Sequence, residues 1–188
     1  SGAIKRVEGA VNDGDTVEVF SNHNEYLATG HYQKGSIAVR IISYEQIIPN
    51  IDFWKSKIAD AYYLRKNTGL ASNKNTNAYR LVFAEGDCLP GLIIDYYNGV
   101  AVIQCHTLGM HSIINEISQI LKDIYKDKLI AIYDKSENSL PFRDKNIFSN
   151  NFIFGNIPNI IIKENGLDFN VDFIESQKTG FFLDQRDN

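Results

Sequence analysis

Two Asn-Gly pairs constrain the fold of this chain more than any other feature of its sequence. They are Asn98-Gly99 and Asn165-Gly166, and each lies between two apolar runs. Both central residues of a type I′ turn need a positive φ, which asparagine and glycine adopt most readily. The sequence therefore predicts one hairpin over 92–104 and a second, closing hairpin over 160–173.

Alternating runs earlier in the chain predict a small antiparallel β module. They span 16–20, 26–32 and 36–42, and clusters of turn-forming residues separate them. A further run at 79–84 comes shortly before the first hairpin. The strands from 79 to 104 are therefore expected to form a meander.

Helical spacing predicts two helices. Apolar residues recur every three or four positions over 110–125, which is typical of an amphipathic helix. A second helix is expected over 53–66. Asp52 suits its N-terminus as a cap, and Arg65 and Lys66 suit the negative end of the helix dipole.

These elements together predict the α+β class and a modular chain. A strand over 129–133 follows the amphipathic helix, and the polar stretch 136–151 is expected to be irregular. The length of 188 residues fits one large domain or two small ones. The expected units are a β module over 1–50, a linking helix over 51–71, a central α+β domain with an antiparallel-rich sheet over 72–157, and a last segment over 158–188 that opens with the closing hairpin.

The charge balance limits how the chain binds a polyanion. Nineteen Lys and Arg residues stand against 23 Asp and Glu residues, for a formal net charge of −4. Binding nucleic acid through bulk positive charge needs the opposite balance, so any such contact must be local. Apolar runs stay well short of the roughly 20 residues that span a bilayer. A soluble, cytoplasmic protein with no membrane partner is expected.

Cysteine and histidine spacing does not indicate a metal site or a disulfide framework. Cys88 and Cys105 form no Cys-x-x-Cys pair, and His106 and His111 are five positions apart rather than four. A thiol becomes nucleophilic when a nearby base or cation lowers its pKa, and the sequence around Cys88 offers no His or Lys. We therefore expect a passive thiol and no metal.

An acidic trio offers two interpretations. Glu85, Asp87 and Asp95 could divide acid and base roles if their surroundings separated their pKa values, which would suit a hydrolase. The alternative is a tight turn in which Asp87 accepts backbone hydrogen bonds and Gly91 supplies a permissive φ. The turn is favoured because Asp and Gly dominate turns for conformational reasons alone.

Basic residues of the first module are candidate contacts for structured RNA. Small β barrels hold RNA by shape and phosphate contact when cationic and aromatic side chains lie side by side. Ordinary solvated surface is the competing interpretation, and composition does not decide between the two. The candidate residues are Lys5, Arg6, Lys34 and Arg40.

The C-terminal block over 177–188 is the least ordinary part of the chain. A glycine and two phenylalanines lie among hydrogen-bonding side chains, which is typical of a loop that folds over a planar or charged ligand. A helix start, with Thr179 as cap and Phe182 as a core anchor, is the alternative interpretation.

Several ordered blocks resemble bacterial class I S-adenosylmethionine-dependent methyltransferases that act on cytosine C5 in 23S rRNA. Residues 1–15 resemble the PUA domain of that family, just after its first strand. The resemblance covers essentially the whole chain. The other blocks are Tyr79-Arg80-Leu81-Val82, Glu85-Gly86-Asp87, Leu89-Pro90-Gly91-Leu92, Asp95, Glu164-Asn165-Gly166-Leu167 and Gln177-Lys178-Thr179-Gly180-Phe181-Phe182-Leu183-Asp184-Gln185-Arg186.

The resemblance implies a division of labour within a longer protein. It implies a PUA-like RNA-binding module over 1–50, a central domain, and a Rossmann-like catalytic domain that is absent from this chain and starts near its end. It implies S-adenosylmethionine as the cofactor and 23S rRNA as the partner, and it implies that this chain alone is inactive. No catalytic residue is assigned within the chain, and a homodimer is left open. The residues carried over to the methyl-donor pocket are Lys178, Thr179, Phe182, Asp184 and Arg186.

Two other functions stay open from the sequence. The first is a module that binds RNA or protein without chemistry, and the second is a small hydrolase built on the acidic trio. The presence or absence of a Rossmann-like domain in the longer protein would separate the module from the methyltransferase.

Overall fold

The computed structural model describes residues 4–140, 148–157 and 159–186. Residues 1–3 of the PUA-like block, 141–147 of the polar stretch, and 158 and 187–188 of the last segment lie outside the described residues. The strands are β1 (Thr16–Phe20), β2 (Tyr26–Tyr32), β3 (Val39–Ser43), β4 (Ala78–Phe83), β5 (Leu92–Tyr97), β6 (Val100–Cys105), β7 (Ala131–Asp134), β8 (Asn151–Phe154), β9 (Ile160–Glu164) and β10 (Leu167–Val171). The helices are α1 (Ile51–Asn67), α2 (Leu108–Ser112) and α3 (Ile114–Tyr125).

The first sheet has the order β1-β2-β3, and both of its strand pairs are antiparallel. The predicted β module is therefore confirmed, although its third strand begins at Val39 rather than 36. Gly30 lies so close to β3 that a Cβ there would be 2.5 Å from the carbonyl oxygen of Arg40. A side chain at this position would therefore push the two strands apart.

Helix α1 links this sheet to the rest of the chain and buries one stripe of its surface. Trp54, Ile58 and Ala61, at helical spacing, are buried. The predicted cap was wrong by two positions. Asn50 has an extended backbone and its side chain accepts a hydrogen bond from the Phe53 amide at 2.9 Å, whereas Asp52 is already inside the first turn.

The central sheet has the order β4-β5-β6-β7-β8. Strands β4, β5 and β6 form the predicted meander, and both Asn98 (φ 44°) and Gly99 (φ 103°) have positive φ in the hairpin between β5 and β6. Strand β7 pairs parallel to β6, because the chain crosses over through α2 and α3 before it returns to the sheet.

Two expectations for this domain were wrong in detail. The single helix predicted over 110–125 is two helices, because the backbone leaves the helical region at Ile113, with φ −103° and ψ 19°. Strand β8 was missed. It has only four residues and it adjoins the polar stretch, so its sequence carries little alternation.

Both faces of the central sheet are covered. Helices α1 and α3 pack on one face, where Trp54, Ile58, Ile117 and Leu121 belong to one buried cluster. The β9–β10 hairpin covers the other face, with Ile162 and Val171 in a second cluster. All six residues of β5 are therefore buried, and the α+β class with a closing hairpin is confirmed.

His31 of β2 lies where the first sheet meets the central domain. Its ring is 5.7 Å from that of Trp54 in α1 and packs directly on Gly109 in α2. Nδ1 is buried without a hydrogen-bond partner among the described residues. Burial lowers the pKa of His31 from 6.5 to about 4, because the charged imidazolium would lose its hydration there.

Acid is therefore expected to weaken the fold through His31. The unfolded chain takes up this proton below pH 6.5 and the folded chain does not until about pH 4, so stability falls across that window. We expect this group to contribute a loss of about 2 kcal/mol by pH 5. Urea unfolding between pH 7 and 5 measures the loss, and His31→Phe serves as the control. Equal pH dependence in both proteins would contradict the assignment.

Candidate functional site

Asp95 is the centre of the polar network that holds the C-terminal block. It lies on β5 with a fully buried side chain, directly opposite Arg80 on β4. The Arg80 guanidinium donates to its two oxygens, from Nε at 2.9 Å and from Nη2 at 3.0 Å. The Thr179 hydroxyl donates to the same carboxylate. One buried charge therefore joins two strands to the block that the family resemblance singled out.

Tyr97 provides a second attachment for the block. Its hydroxyl is 3.2 Å from Thr179 Oγ1 and accepts a hydrogen bond from the Phe181 amide at 3.2 Å. Burial raises the pKa of Tyr97, so its phenol stays protonated and available as a donor. The segment from 179 to 181 is thus fixed to the end of β5.

Arg186 closes the block against the sheet. Its Nε donates to Glu164 Oε1 on β9 at 3.1 Å, and its Nη2 donates to the Ala78 carbonyl on β4 at 2.7 Å. Arg186 therefore ties the hairpin, the central sheet and the block together.

Lys135 supports the segment just before the block, and sequence analysis missed it. Its side chain is buried at the end of β7 and its ammonium donates to the carbonyls of Phe173 and Ser176. Burial lowers its pKa. The sequence offers little signal for this role, because the acceptors are backbone groups about 40 positions away in the chain.

The five residues carried over from the family divide into two groups. Thr179 and Arg186 point inward as described, whereas Lys178, Phe182 and Asp184 are exposed. Lys178 has a positive φ of 51°, and its Nζ lies 5.0 Å from the centre of the Phe182 ring. The alternative of a helix capped by Thr179 was wrong in its residues: the Thr179 hydroxyl binds Asp95, Phe182 is 51% exposed, and the helical turn that follows is the 3₁₀ turn Leu183–Gln185, which has no side-chain cap.

Asp184 is the exposed carboxylate of this block. Its pKa is lowered, first by a hydrogen bond from Gln185 and, with smaller effects, by the charges of Lys178 and Arg80. It therefore stays ionised and presents a hydrogen-bond acceptor to solvent.

A cavity of about 320 Å³ opens between α1, β4 and the C-terminal block. Its size is at the lower end of the range for small-ligand pockets. Apolar side chains and three guanidinium groups share its walls, with Asp184 as the carboxylate among the lining residues. The lining residues are Arg65, Leu70, Tyr79, Arg80, Phe83, Leu183, Asp184 and Arg186.

The four basic candidates lie in different surroundings. Lys5 and Arg6 are exposed on the segment before β1, and Arg6 forms an exposed ion pair with Glu8 at 2.8 Å. Lys34 is exposed in the turn between β2 and β3, and Arg40 lies half-buried on β3. The structure thus places Lys34 and Arg40 on one connected hairpin.

Glu85 and Asp87 lie in the predicted turn, whereas Asp95 lies on β5. Both terminal nitrogens of the Arg65 guanidinium donate hydrogen bonds to the Asp87 carboxylate, and the Phe83 amide donates to the same carboxylate. Gly91 has the expected positive φ of 86°. Because Asp87 and Asp95 are each held by an arginine, the geometry gives no support to a hydrolase.

The described residues contain no group of three His, Cys, Asp or Glu side chains able to hold a metal ion. Cys88 is exposed at the end of the turn, and Cys105 is buried, which raises its thiol pKa to about 12. In the same part of the chain, no helix has the length and apolar character that crossing a membrane requires.

Comparison with known proteins supports the family resemblance that the sequence motifs indicate. Residues 1–44 match the model of a PUA-like domain. Over the whole chain, the sequence is 32% identical to ribosomal RNA large subunit methyltransferase I of Vibrio vulnificus and 34% identical to that of Aeromonas salmonicida. The resemblance to ribosomal RNA large subunit methyltransferases that the motifs indicate is confirmed. The chain spans about half the length of these relatives, 47% and 48%.

Solved structures share the fold. A protein described as an S-adenosylmethionine-dependent methyltransferase from Streptococcus mutans superposes with a TM-score of 0.78 at 25% identity, over 95% of this chain and 45% of its own. A second, described as a methyltransferase in complex with S-adenosylhomocysteine, gives a TM-score of 0.77 at 24% identity, over 94% of this chain and 44% of its own. The likeness again covers about half of each neighbour.

Proposed function

We propose that this chain is the RNA-docking and pocket-framing half of a methyltransferase that acts on large-subunit ribosomal RNA, with cytosine C5 of 23S rRNA as the target. The observation that carries the proposal is the similarity to large subunit methyltransferase I along the whole chain, at about a third identity. The PUA-like match at the N-terminal end supports an RNA-docking role for the first sheet.

The exposed part of the C-terminal block suits one edge of an S-adenosylmethionine site. The Lys178 ammonium is complementary to the donor's carboxylate, the Phe182 ring to its adenine, and the ionised Asp184 to its ribose hydroxyls or amino group. Thr179 and Arg186 support this edge without contacting the donor. Their hydrogen bonds to Asp95 and Glu164 fix the backbone from which the exposed side chains project.

The methyl-transfer chemistry is proposed to come from elsewhere in the longer protein. Methylation at cytosine C5 needs a thiolate that adds to the ring and a base that removes a proton. Cys105 is buried with a raised pKa, and Cys88 lies in a surface turn. This chain alone is therefore expected to bind RNA and to transfer no methyl group.

Charge reversal on the first sheet tests the RNA-docking role. We expect Lys34→Glu with Arg40→Glu to weaken binding to a 23S rRNA fragment about tenfold or more at low salt and to flatten the dependence of log Kd on log salt, because fewer counterions are released. Filter binding across a salt series measures both quantities. In a polypeptide extended to the length of the relatives, the same variant should lose methyl transfer through a raised KM.

Lys126→Glu with Lys128→Glu is the matched control, since both lysines are exposed in a turn after α3 and the change of charge is identical. Equal weakening by the two double variants would mean that net charge alone matters. If the extended polypeptide transfers no methyl group from S-adenosylmethionine to ribosomal RNA, the enzymatic proposal fails.

A further inference from the structure

The cavity between α1, β4 and the C-terminal block contains groups that the proposed donor edge does not use. Phe83 is 54% exposed at the end of β4, and the Arg80 guanidinium lies 5.4 Å from the centre of its ring. An exposed aromatic ring beside a planar cation is the usual platform for an unstacked base in RNA-binding proteins. Phe83 is not needed at this surface for the core, since its ring faces solvent.

The three arginines of the cavity are held in place before any ligand arrives. Arg65, Arg80 and Arg186 are each bound by a carboxylate that does not line the cavity, and these carboxylates are those of Asp87, Asp95 and Glu164 in turn. Their guanidinium groups are therefore already fixed, so that little side-chain entropy is lost when a ligand binds to them. Because these carboxylates largely neutralise the charges of the arginines, the cavity offers flat surfaces for stacking rather than a strong site for a phosphate.

Asp184 narrows the class of ligand further. An ionised carboxylate among the lining residues repels a phosphate and accepts hydrogen bonds from amino or hydroxyl groups. Leu70, Tyr79 and Leu183 add apolar wall. A neutral, flat ring with a donor group meets all of these conditions, and a nucleoside supplies such donors on the base or on the ribose.

RNA that is docked on the first sheet holds its bases near this chain at a high effective concentration, which a free nucleoside does not reach. The PUA-like match of residues 1–44 therefore favours a base of the docked RNA over a free nucleoside as the occupant.

We propose that this cavity is a subsite for one unstacked base of the bound RNA, with Phe83 and the Arg80 guanidinium as the stacking surface; Asp184, which is assigned to the donor edge, disfavours a phosphate in the same cavity. The proposal rests on the RNA-docking function above and assigns a contact outside the PUA-like sheet. The RNA then contacts both the first sheet, at Lys34 and Arg40, and the cavity beside the C-terminal block.

Phe83→Leu tests the subsite, because leucine keeps apolar bulk and removes the aromatic face. With a single-stranded RNA oligonucleotide and the 188-residue chain, we expect about tenfold weaker binding, in line with the contribution of one stacked base. The salt dependence should stay unchanged, since no charge is altered. Phe83→Trp should keep or improve the affinity.

Phe154→Leu is the matched control, because Phe154 is also a partly exposed ring beside a cation, with Lys122 Nζ 4.6 Å from its centre, but on β8. Its affinity should equal that of the native chain. Native affinity in Phe83→Leu would overturn the subsite while the charge-reversal result still supports docking on the first sheet. A loss of affinity for S-adenosylhomocysteine with RNA binding intact would assign the cavity to the donor and also overturn it. Absence of RNA binding by the native chain would remove the docking function itself.

Discussion

Asp95→Ala is expected to lower the free energy of unfolding by about 3 kcal/mol. Removing one partner of a buried ion pair costs about 3–5 kcal/mol, because the remaining charge loses its partner and recovers little hydration. The lower end applies here, since the Arg80 side chain is 36% exposed and still reaches water. The Thr179 hydroxyl also loses its acceptor, which adds to the cost.

Urea unfolding measures this loss, and Asp123→Ala is the matched control. Asp123 also accepts from a basic side chain, Lys55 at 2.8 Å, but the two side chains are 43% and 50% exposed. Exposed pairs contribute about 0–1 kcal/mol, so the control should unfold almost like the native protein. Similar losses in both variants would mean that the Arg80–Asp95 pair has no special structural role.

The same substitution should loosen the C-terminal block before it unfolds the protein. Thr179 is one of the attachments of the block to β5, so its release should free the exposed Lys178 for tryptic cleavage. Cleavage after Lys178 is therefore expected to be faster in Asp95→Ala than in Asp123→Ala. Because this block carries the proposed donor edge, Asp95 links the stability of the central sheet to the shape of the site.

Local sequence signals predicted most of the fold. They did so where a residue type strongly favours one backbone conformation. Asn98 and Gly99 determine a turn because few other residues accept positive φ twice in succession, and the structure has that hairpin. The break between α2 and α3 was not predictable in the same way. Isoleucine at 113 suits a helix, and α3 begins there without a side-chain cap, so no residue type in the sequence indicates the break.

The site was less predictable than the fold, because its residues meet through the sheet rather than along the chain. Arg80 and Asp95 are directly opposite on β4 and β5, and a shift in the pairing between Arg80 and Val82 brings them into that register. Lys178 and Thr179 are neighbours in one motif, yet one is exposed and the other buried. The motif identifies the block, but it does not indicate which of its side chains face outward.

Gly109→Ala is expected to destabilise the junction between the two sheets by about 3 kcal/mol. A Cβ at this position would lie 2.3 Å from Cγ and 2.4 Å from Nδ1 of the His31 ring, far inside van der Waals contact. The ring has little room to retreat because Trp54 packs on it. Overpacking of a buried contact usually costs about 1–3 kcal/mol, and a separation this short belongs at the upper end.

A second substitution distinguishes this clash from any effect on helix α2 itself. In a His31→Ala background the ring is gone, and Gly109→Ala should then stabilise by up to about 1 kcal/mol, because alanine favours a helix over glycine. The effect of Gly109→Ala on the free energy of unfolding should therefore change sign when residue 31 is alanine. A double-mutant cycle by urea unfolding measures the coupling between the two positions. A destabilisation that is equal in both backgrounds would contradict the direct contact. The sign reversal would show that the His31 ring contacts α2 directly, and this contact helps to fix where Lys34 and Arg40 lie relative to the cavity.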